Sequence, residues 1–253
     1  MDQSEAALRI AFVINLGPRD SQQVDPSRLH HLIHLFRGHR VPATWAVGDG
    51  TRAELLNGGE PTLPDELALL IDRRQSCLEI SVARFRDELA TQVASIRQAS
   101  GMEATLIVGE PESLRSKVSL LAEQGMRAIV ATGSRQKAGA TPRPLPLGLW
   151  NFTPTIEIPQ GHRLSRLLPV RRPSVKQLMG AKISSGGVLV AIETSQLDQL
   201  GPRGARQIEK LVRDVAWAAS REQVVVATVG ELVTELAGAA VAQPQRSILS
   251  AAA

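Results

Sequence analysis

Two apolar runs, ALRIAFVIN over Ala7 to Asn15 and VPATWAV over Val41 to Val47, enclose the pattern LHHLIHLF over Leu29 to Phe36. The first run is short, β-branched and ended by Gly17-Pro18, which reads as a buried strand. Asp25 or Ser27 can cap a helix with Pro26 in its first turn, and Leu29, Leu32, Ile33 and Phe36 recur at helical spacing until Gly38 stops it. The second run is again a strand, ended by Gly48-Asp49-Gly50. Strand, helix and strand in that order begin a parallel α/β sheet.

The alternation continues outward from this unit. The sequence predicts a helix over Pro64 to Arg74, a strand over Ser76 to Val82 and a helix over Phe85 to Ala99. A strand over Ala104 to Val108, a helix over Ser113 to Gln124 and a strand over Met126 to Thr132 follow. From Gly133 to Pro173 the pattern breaks into a Pro- and Gly-rich stretch with one extended piece, Trp150 to Pro159. Long excursions of this kind are often functional. Order resumes with a helix near Ser174 to Lys182, a strand over Gly187 to Ile192, a helix over Pro202 to Ser220, a strand over Gln223 to Thr228 and a helix over Gly230 to Ala237. These elements form one expected domain over 1–237, with the excursion spanning 133–183 and a mobile tail at 238–253. Seven or more strands can close into a barrel or stay open as a doubly wound sheet, and both gather ligands at the carboxyl ends of the strands.

The 253 residues are 43% hydrophobic and 21% charged, which excludes disordered, collagen-like and disulfide-scaffold classes. Cys77 is the single cysteine, so neither an internal disulfide nor a cysteine-based zinc site can form. Its strand-like neighbours place it in the core. The first nine residues carry acids and no long apolar run, and no membrane-length apolar stretch occurs elsewhere, so a cytoplasmic protein is expected.

The net charge of +4 is unevenly placed: from Arg135 to Lys182 nine Lys or Arg face a single acid, Glu157. That field, with Arg135 and Arg143 at its start, is expected to attract an anionic ligand or acidic partner, unless it is simply a solvated face. Nucleic acid is disfavoured, because aromatics are 3% and Tyr is absent, leaving no stacking platform.

At the predicted carboxyl ends stand Asn15, Asp49, the stretch Glu79 to Ala83, Glu110 and Glu193. Glu110 and Glu193 are best placed to share a central mouth, and a carboxylate pair is what acid/base hydrolysis needs. His30 and His34 have the i, i+4 spacing that presents two imidazoles to one metal, yet two ligands are not a site and no acid on that helix supplies a third. A flanking, solvent-facing position is expected for His30, His31 and His34. His39 and His162 lie in loops. The glycine fingerprints of nucleotide binding and the Gly-x-Ser-x-Gly elbow are missing. Ser184 to Gly187 precedes a strand where an elbow would follow one, and Gly133-Ser134-Arg135 is equally well a turn or an anion-holding loop.

In this order the pieces resemble the polysaccharide deacetylase family, the NodB-homology domain of carbohydrate esterase family four. Leu29 to Val47 is similar to the family's first helix running into its "G-V-P-A-T-F-F-V" strand. Leu78-Glu79-Ile80 resembles the "H-E-I-G" lead of its histidine motif. Gly187 to Glu193 resembles its late "G-x-I-x-L-L-H-D" strand, and Gln223 to Leu236 its closing "F-V-T-L-x-E-L" strand and helix. The resemblance implies a distorted (β/α) barrel of about seven mainly parallel strands. It also implies a mouth where one Asp and two His hold a divalent metal that activates water against an acetyl group on a glycan.

The family's chemical positions are changed here. Its Asp-Asp pair falls on Asn15-Leu16, removing the base and the metal carboxylate. Its His-x-x-x-His falls on Ala83 and Asp87, its arginine near Val108 and its late histidine on Ile192, beside Glu193. No shift of alignment restores the histidine motif, since the chain has no histidine between His39 and His162. No metal or other cofactor is therefore expected. The reading that follows is a deacetylase-like pseudoenzyme that binds a glycan, with Asp49, Arg135, Arg143 and a sugar-stacking Trp150 at its mouth. A metal-independent hydrolase using Glu110 and Glu193, supported by Asp49 or Asp87, is one alternative. An adaptor docking an acidic partner through the basic excursion is another.

Overall fold

The computed structural model describes residues 8–17, 25–57, 65–71, 81–132, 141–158 and 187–242. Ten strands join one sheet among them. In chain order, β1 (Leu8–Asn15), β2 (Thr44–Val47), β3 (Glu66–Leu70), β4 (Ala104–Gly109) and β5 (Ala128–Ala131) are followed by β6 (Arg143–Pro144), β7 (Trp150–Phe152), β8 (Ile156–Ile158), β9 (Val188–Glu193) and β10 (Val224–Ala227). The helices are α1 (Pro26–Gly38), α2 (Gly50–Glu54), α3 (Val82–Ser100), α4 (Pro111–Arg115), α5 (Val118–Glu123), α6 (Leu197–Ser220) and α7 (Val229–Ala242).

Closure of the sheet comes from one continuous segment. The order runs β7-β5-β4-β3-β2-β1-β9-β8, so β7 and β8 occupy opposite ends of the path although only residues 153–155 separate them. Asn151 pairs with Ile129 of β5 and Glu157 with Ala191 of β9, both in parallel. Six residues of extended chain span at most ~20 Å, so this stave brings the two edges together. The result is a distorted, deacetylase-like (β/α) barrel of seven mainly parallel staves, and only the two-residue β6 runs antiparallel.

Period-two alternation divides the apolar residues into two layers. Ile10, Phe12, Ile14, Trp45, Leu67, Leu69 and Ile107 face outward against Leu29, Leu32 and Phe36 of α1, Phe85 and Leu89 of α3 and Ile208 to Val215 of α6. Edge-on contacts of Phe36 with Phe12 and Trp45, at 5.2 and 5.7 Å between ring centroids, fix α1 on the sheet. Inside lie mostly small residues: Ala11, Val13, Ala46, Ala68, Val108, Ala128 and Val130, with Phe152. Small side chains are what a narrow barrel can hold.

The floor is sealed by α7, whose Val229, Leu232 and Val233 join the inner layer. β10 enters beside the first half of β1, below the point where β1 begins to pair with β2. Glu66 then accepts from Gly230 N–H at 2.9 Å and from Thr44 Oγ1 at 2.8 Å, at the start of α7. A Cβ on Gly230 would overlap that carboxylate, which explains a glycine in the first turn.

Two elements differ from the sequence reading. The predicted helix over Pro64 to Arg74 is the strand β3, since Leu67 to Ile71 is an unbroken apolar run buried on both faces and too short for a helix that must show a polar side. Asp65, read as part of that helix, instead pairs with Arg37 of α1 at 3.1 Å. The strand expected over Ser76 to Val82 falls largely outside the described residues, and its last residues, Ser81 and Val82, are the cap and first residue of α3. The closing helix continues to Ala242, past Ala237, where the sequence reading ends it and the tail from 238 is expected to follow. Cys77, the predicted helix at 174–182 and residues 243–253 lie outside the described residues.

Candidate functional site at the barrel mouth

All staves run the same way, so their carboxyl ends meet at one mouth, opposite the floor closed by α7. Asn15 ends β1 and faces Glu193, its direct partner at the end of β9. The Asn15 amide donates from Nδ2 to Glu193 Oε2 at 3.0 Å, and Ser195 Oγ donates to Glu193 Oε1 at 2.9 Å. Thr194 closes the corner by donating to the Asn15 carbonyl at 2.6 Å. Asn15 is 2% exposed, and its Oδ1 has no partner among the described residues.

Glu157 joins this corner from the neighbouring stave. It pairs with Ala191, so it shares the inner face with Glu193 two residues on. Burial pushes its carboxyl above the ordinary glutamate range, and the nearby Glu193 charge pushes the same way. The mouth thus brings together the carboxyls of Glu157 and Glu193 and the amide of Asn15. Sequence reading counted Glu157 only as the single acid in a basic stretch. Its partner is brought to it by barrel closure, which no local pattern announces.

The other candidates are placed elsewhere or have structural duties. Asp49 caps α2, accepting from Arg52 N–H at 3.0 Å. Glu110 precedes α4 at the end of β4, with its carbonyl accepting from Ser113 Oγ, and β4 stands across the barrel from β9. Trp150, expected on the rim as a sugar platform, starts β7 at the floor end and packs with Leu236 against the inner layer. The stave enters the barrel there, so the indole fills space at the wrong end to meet a ligand in the mouth. Arg143 is exposed at that same end, opposite Asn151. Arg135 lies outside the described residues. His30, His31 and His34 are exposed on α1, as their flanking position beside the apolar stripe implied.

No protein-family model matches the chain, and no curated protein matches its sequence. Among solved structures it is similar to a polysaccharide deacetylase candidate from Mycobacterium smegmatis, with a TM-score of 0.64 at 15% identity over 96% of this chain and 95% of that one. The chain has the polysaccharide deacetylase fold. The same fold is shared with wild-type BA3943, a CE4 family pseudoenzyme from Bacillus anthracis, at a TM-score of 0.51 and 14% identity over 90% of this chain and 66% of that one. PuuE allantoinase is similar at a TM-score of 0.57 and 12% identity over 89% of each chain.

At the positions that the deacetylase resemblance assigns to its metal centre, the described residues do not fit a metal. Leu16, at the metal-carboxylate position, is fully buried in the outer apolar layer. Ala83 and Asp87 stand exposed on the first turns of α3 rather than at a strand end. Val108 is buried in the inner apolar layer, and Ile192 points into the outer one, leaving Glu193 as the residue of β9 at the mouth. Among the described residues no group of three His, Cys, Asp or Glu could hold a metal ion. A catalytic zinc needs about three protein ligands and an open position. Among the described residues no helix is long and apolar enough to cross a membrane.

Proposed function

We propose that the protein is a catalytically silent barrel of the deacetylase fold that binds a glycan at its mouth and acts as an accessory in making or modifying polysaccharide. The observation that carries this reading is the Asn15–Glu193 pair. An amide stands where the resemblance places the catalytic base, and an amide cannot take a proton from water. Glu193, Glu157 and Ser195, none of them buried, still present donors and acceptors of the kind that hold sugar hydroxyls. The pseudoenzyme from Bacillus anthracis supports the reading by showing that this fold occurs without activity.

The test is titration of the full chain with acetylated chito- and xylo-oligosaccharides, with and without zinc, while acetate release is followed. The expected result is saturable binding that is independent of zinc, weakened at least roughly tenfold by Glu193→Ala, with no acetate released. Zinc-dependent release of acetate overturns the reading.

One observation favours a second reading. Acid/base hydrolysis needs one protonated and one ionised carboxyl, and burial raises the Glu157 carboxyl above the ordinary glutamate range on the same inner face as Glu193. A metal-independent glycan hydrolase of this kind would lose turnover in both Glu157→Gln and Glu193→Gln.

A further inference from the structure

The outer ridge of α6 carries a feature unrelated to the mouth. Arg206, Lys210, Arg213, Trp217 and Arg221 succeed one another at i, i+4, i+7, i+11 and i+15, and all five are exposed. At 100° per residue they fall within a narrow stripe, directly opposite Ile208, Leu211, Val215 and Ala218, which bury the helix against the barrel. Glu209 and Asp214 stand to either side of the stripe, so no acid interrupts it. Arg206 to Trp217 covers about 16 Å of helix, and Arg221 follows just past the helix end at Ser220.

An ordinary solvated face mixes charges of both signs, and like charges three or four residues apart destabilise a helix. Here Arg206, Lys210 and Arg213 repeat the same sign, and none of them enters an ion pair among the described residues. Trp217 is the second departure. It is 54% exposed, with the Arg221 guanidinium 3.9 Å from its ring centroid. A large indole left in water beside a stacked cation is the composition of a recognition surface.

We propose that this ridge binds an acidic polysaccharide, a chain of uronate-bearing sugars lying along α6 with one sugar ring against Trp217. Linear, evenly spaced cations match linear, evenly spaced carboxylates, and the flat apolar face of the indole suits the C–H face of a pyranose. A membrane is a poorer match, since an interfacial helix needs a continuous apolar face and Trp217 is the only apolar residue of this stripe. Single-stranded nucleic acid calls for several stacking platforms, and the ridge has one. A convex helix surface also lacks the grooves that seat peptide side chains.

The experiment measures binding of the full chain to polygalacturonate, with neutral dextran, phosphatidylglycerol vesicles and oligo-dT as comparisons. Polygalacturonate is expected to bind and to perturb Trp217 emission, and to weaken roughly tenfold or more between low and moderate salt. The triple substitution Arg206→Gln, Lys210→Gln and Arg213→Gln should lose at least tenfold in affinity with the melting curve unchanged. Trp217→Ala should lose several-fold while keeping the salt dependence. Equal binding to dextran, undiminished binding by the triple variant, or tighter capture of vesicles or oligo-dT through the same residues overturns the proposal. The barrel mouth plays no part in it, so its failure and that of the mouth reading are separate outcomes.

Discussion

Asn15 is the residue on which the chemistry of the mouth turns. Its amide is buried and in direct register with Glu193, so it neutralises a position where a carboxylate would meet another carboxylate. Asn15→Asp is expected to lower stability by about 2 kcal/mol near neutral pH, through the lost hydrogen bond and the added repulsion. The sign with pH follows from the same contact. Burial and the Glu193 charge would raise the new carboxyl in the folded state, so its penalty grows as pH rises and fades as pH falls and one of the pair takes a proton. Urea denaturation of both proteins at acid and neutral pH checks this, and a penalty that grew toward acid would contradict it. Asn15 and Glu193 were legible as strand-end residues, because each closes an apolar run. Glu157 was not, since its meaning comes from a stave contact between segments far apart in sequence.

Among the elements, α7 shows how a local signal serves a distant purpose. Thr228 N–H donates to Glu231 Oε2 at 2.7 Å and Glu231 N–H to Thr228 Oγ1 at 3.3 Å, a reciprocal cap that starts the helix at the barrel floor. Thr228→Ala should cost about 1 kcal/mol, read as a shift of the denaturation midpoint without a change of slope. Glu66 meets the same helix end. Burial, the largest influence, raises its carboxyl above the ordinary glutamate range despite the bonds from Gly230 and Thr44. A carboxyl raised in the folded state gives stability that is full at low pH and is lost as pH climbs through the raised value. Glu66→Gln keeps an oxygen to accept both bonds, so its stability relative to wild type should rise from acid toward neutral pH. A flat difference across that range would show that burial does not govern Glu66. The element the sequence misread, β3, failed for a physical reason: Leu67, Leu70 and Ile71 satisfy helical spacing, while burial on both faces comes from the outer and inner layers that pack against them.

At the scale of the whole molecule, the alternation of strand and helix made the parallel α/β class legible. Barrel closure was not, because Trp150 to Ile158 reads as one extended piece and nothing local reveals that its two halves pair with β5 and β9. The same closure carries Trp150 to the floor, removing it from the mouth, and carries Glu157 to Glu193. The fold is kept while the donor set of a deacetylase metal centre is absent from the positions that the resemblance assigns. The most direct test is the metal content of the tag-free protein, loaded with zinc or cobalt, freed of excess and measured by elemental analysis. The account predicts less than ~0.1 equivalent, since a tight site needs about three well-placed ligands. Close to one firmly held equivalent would contradict it.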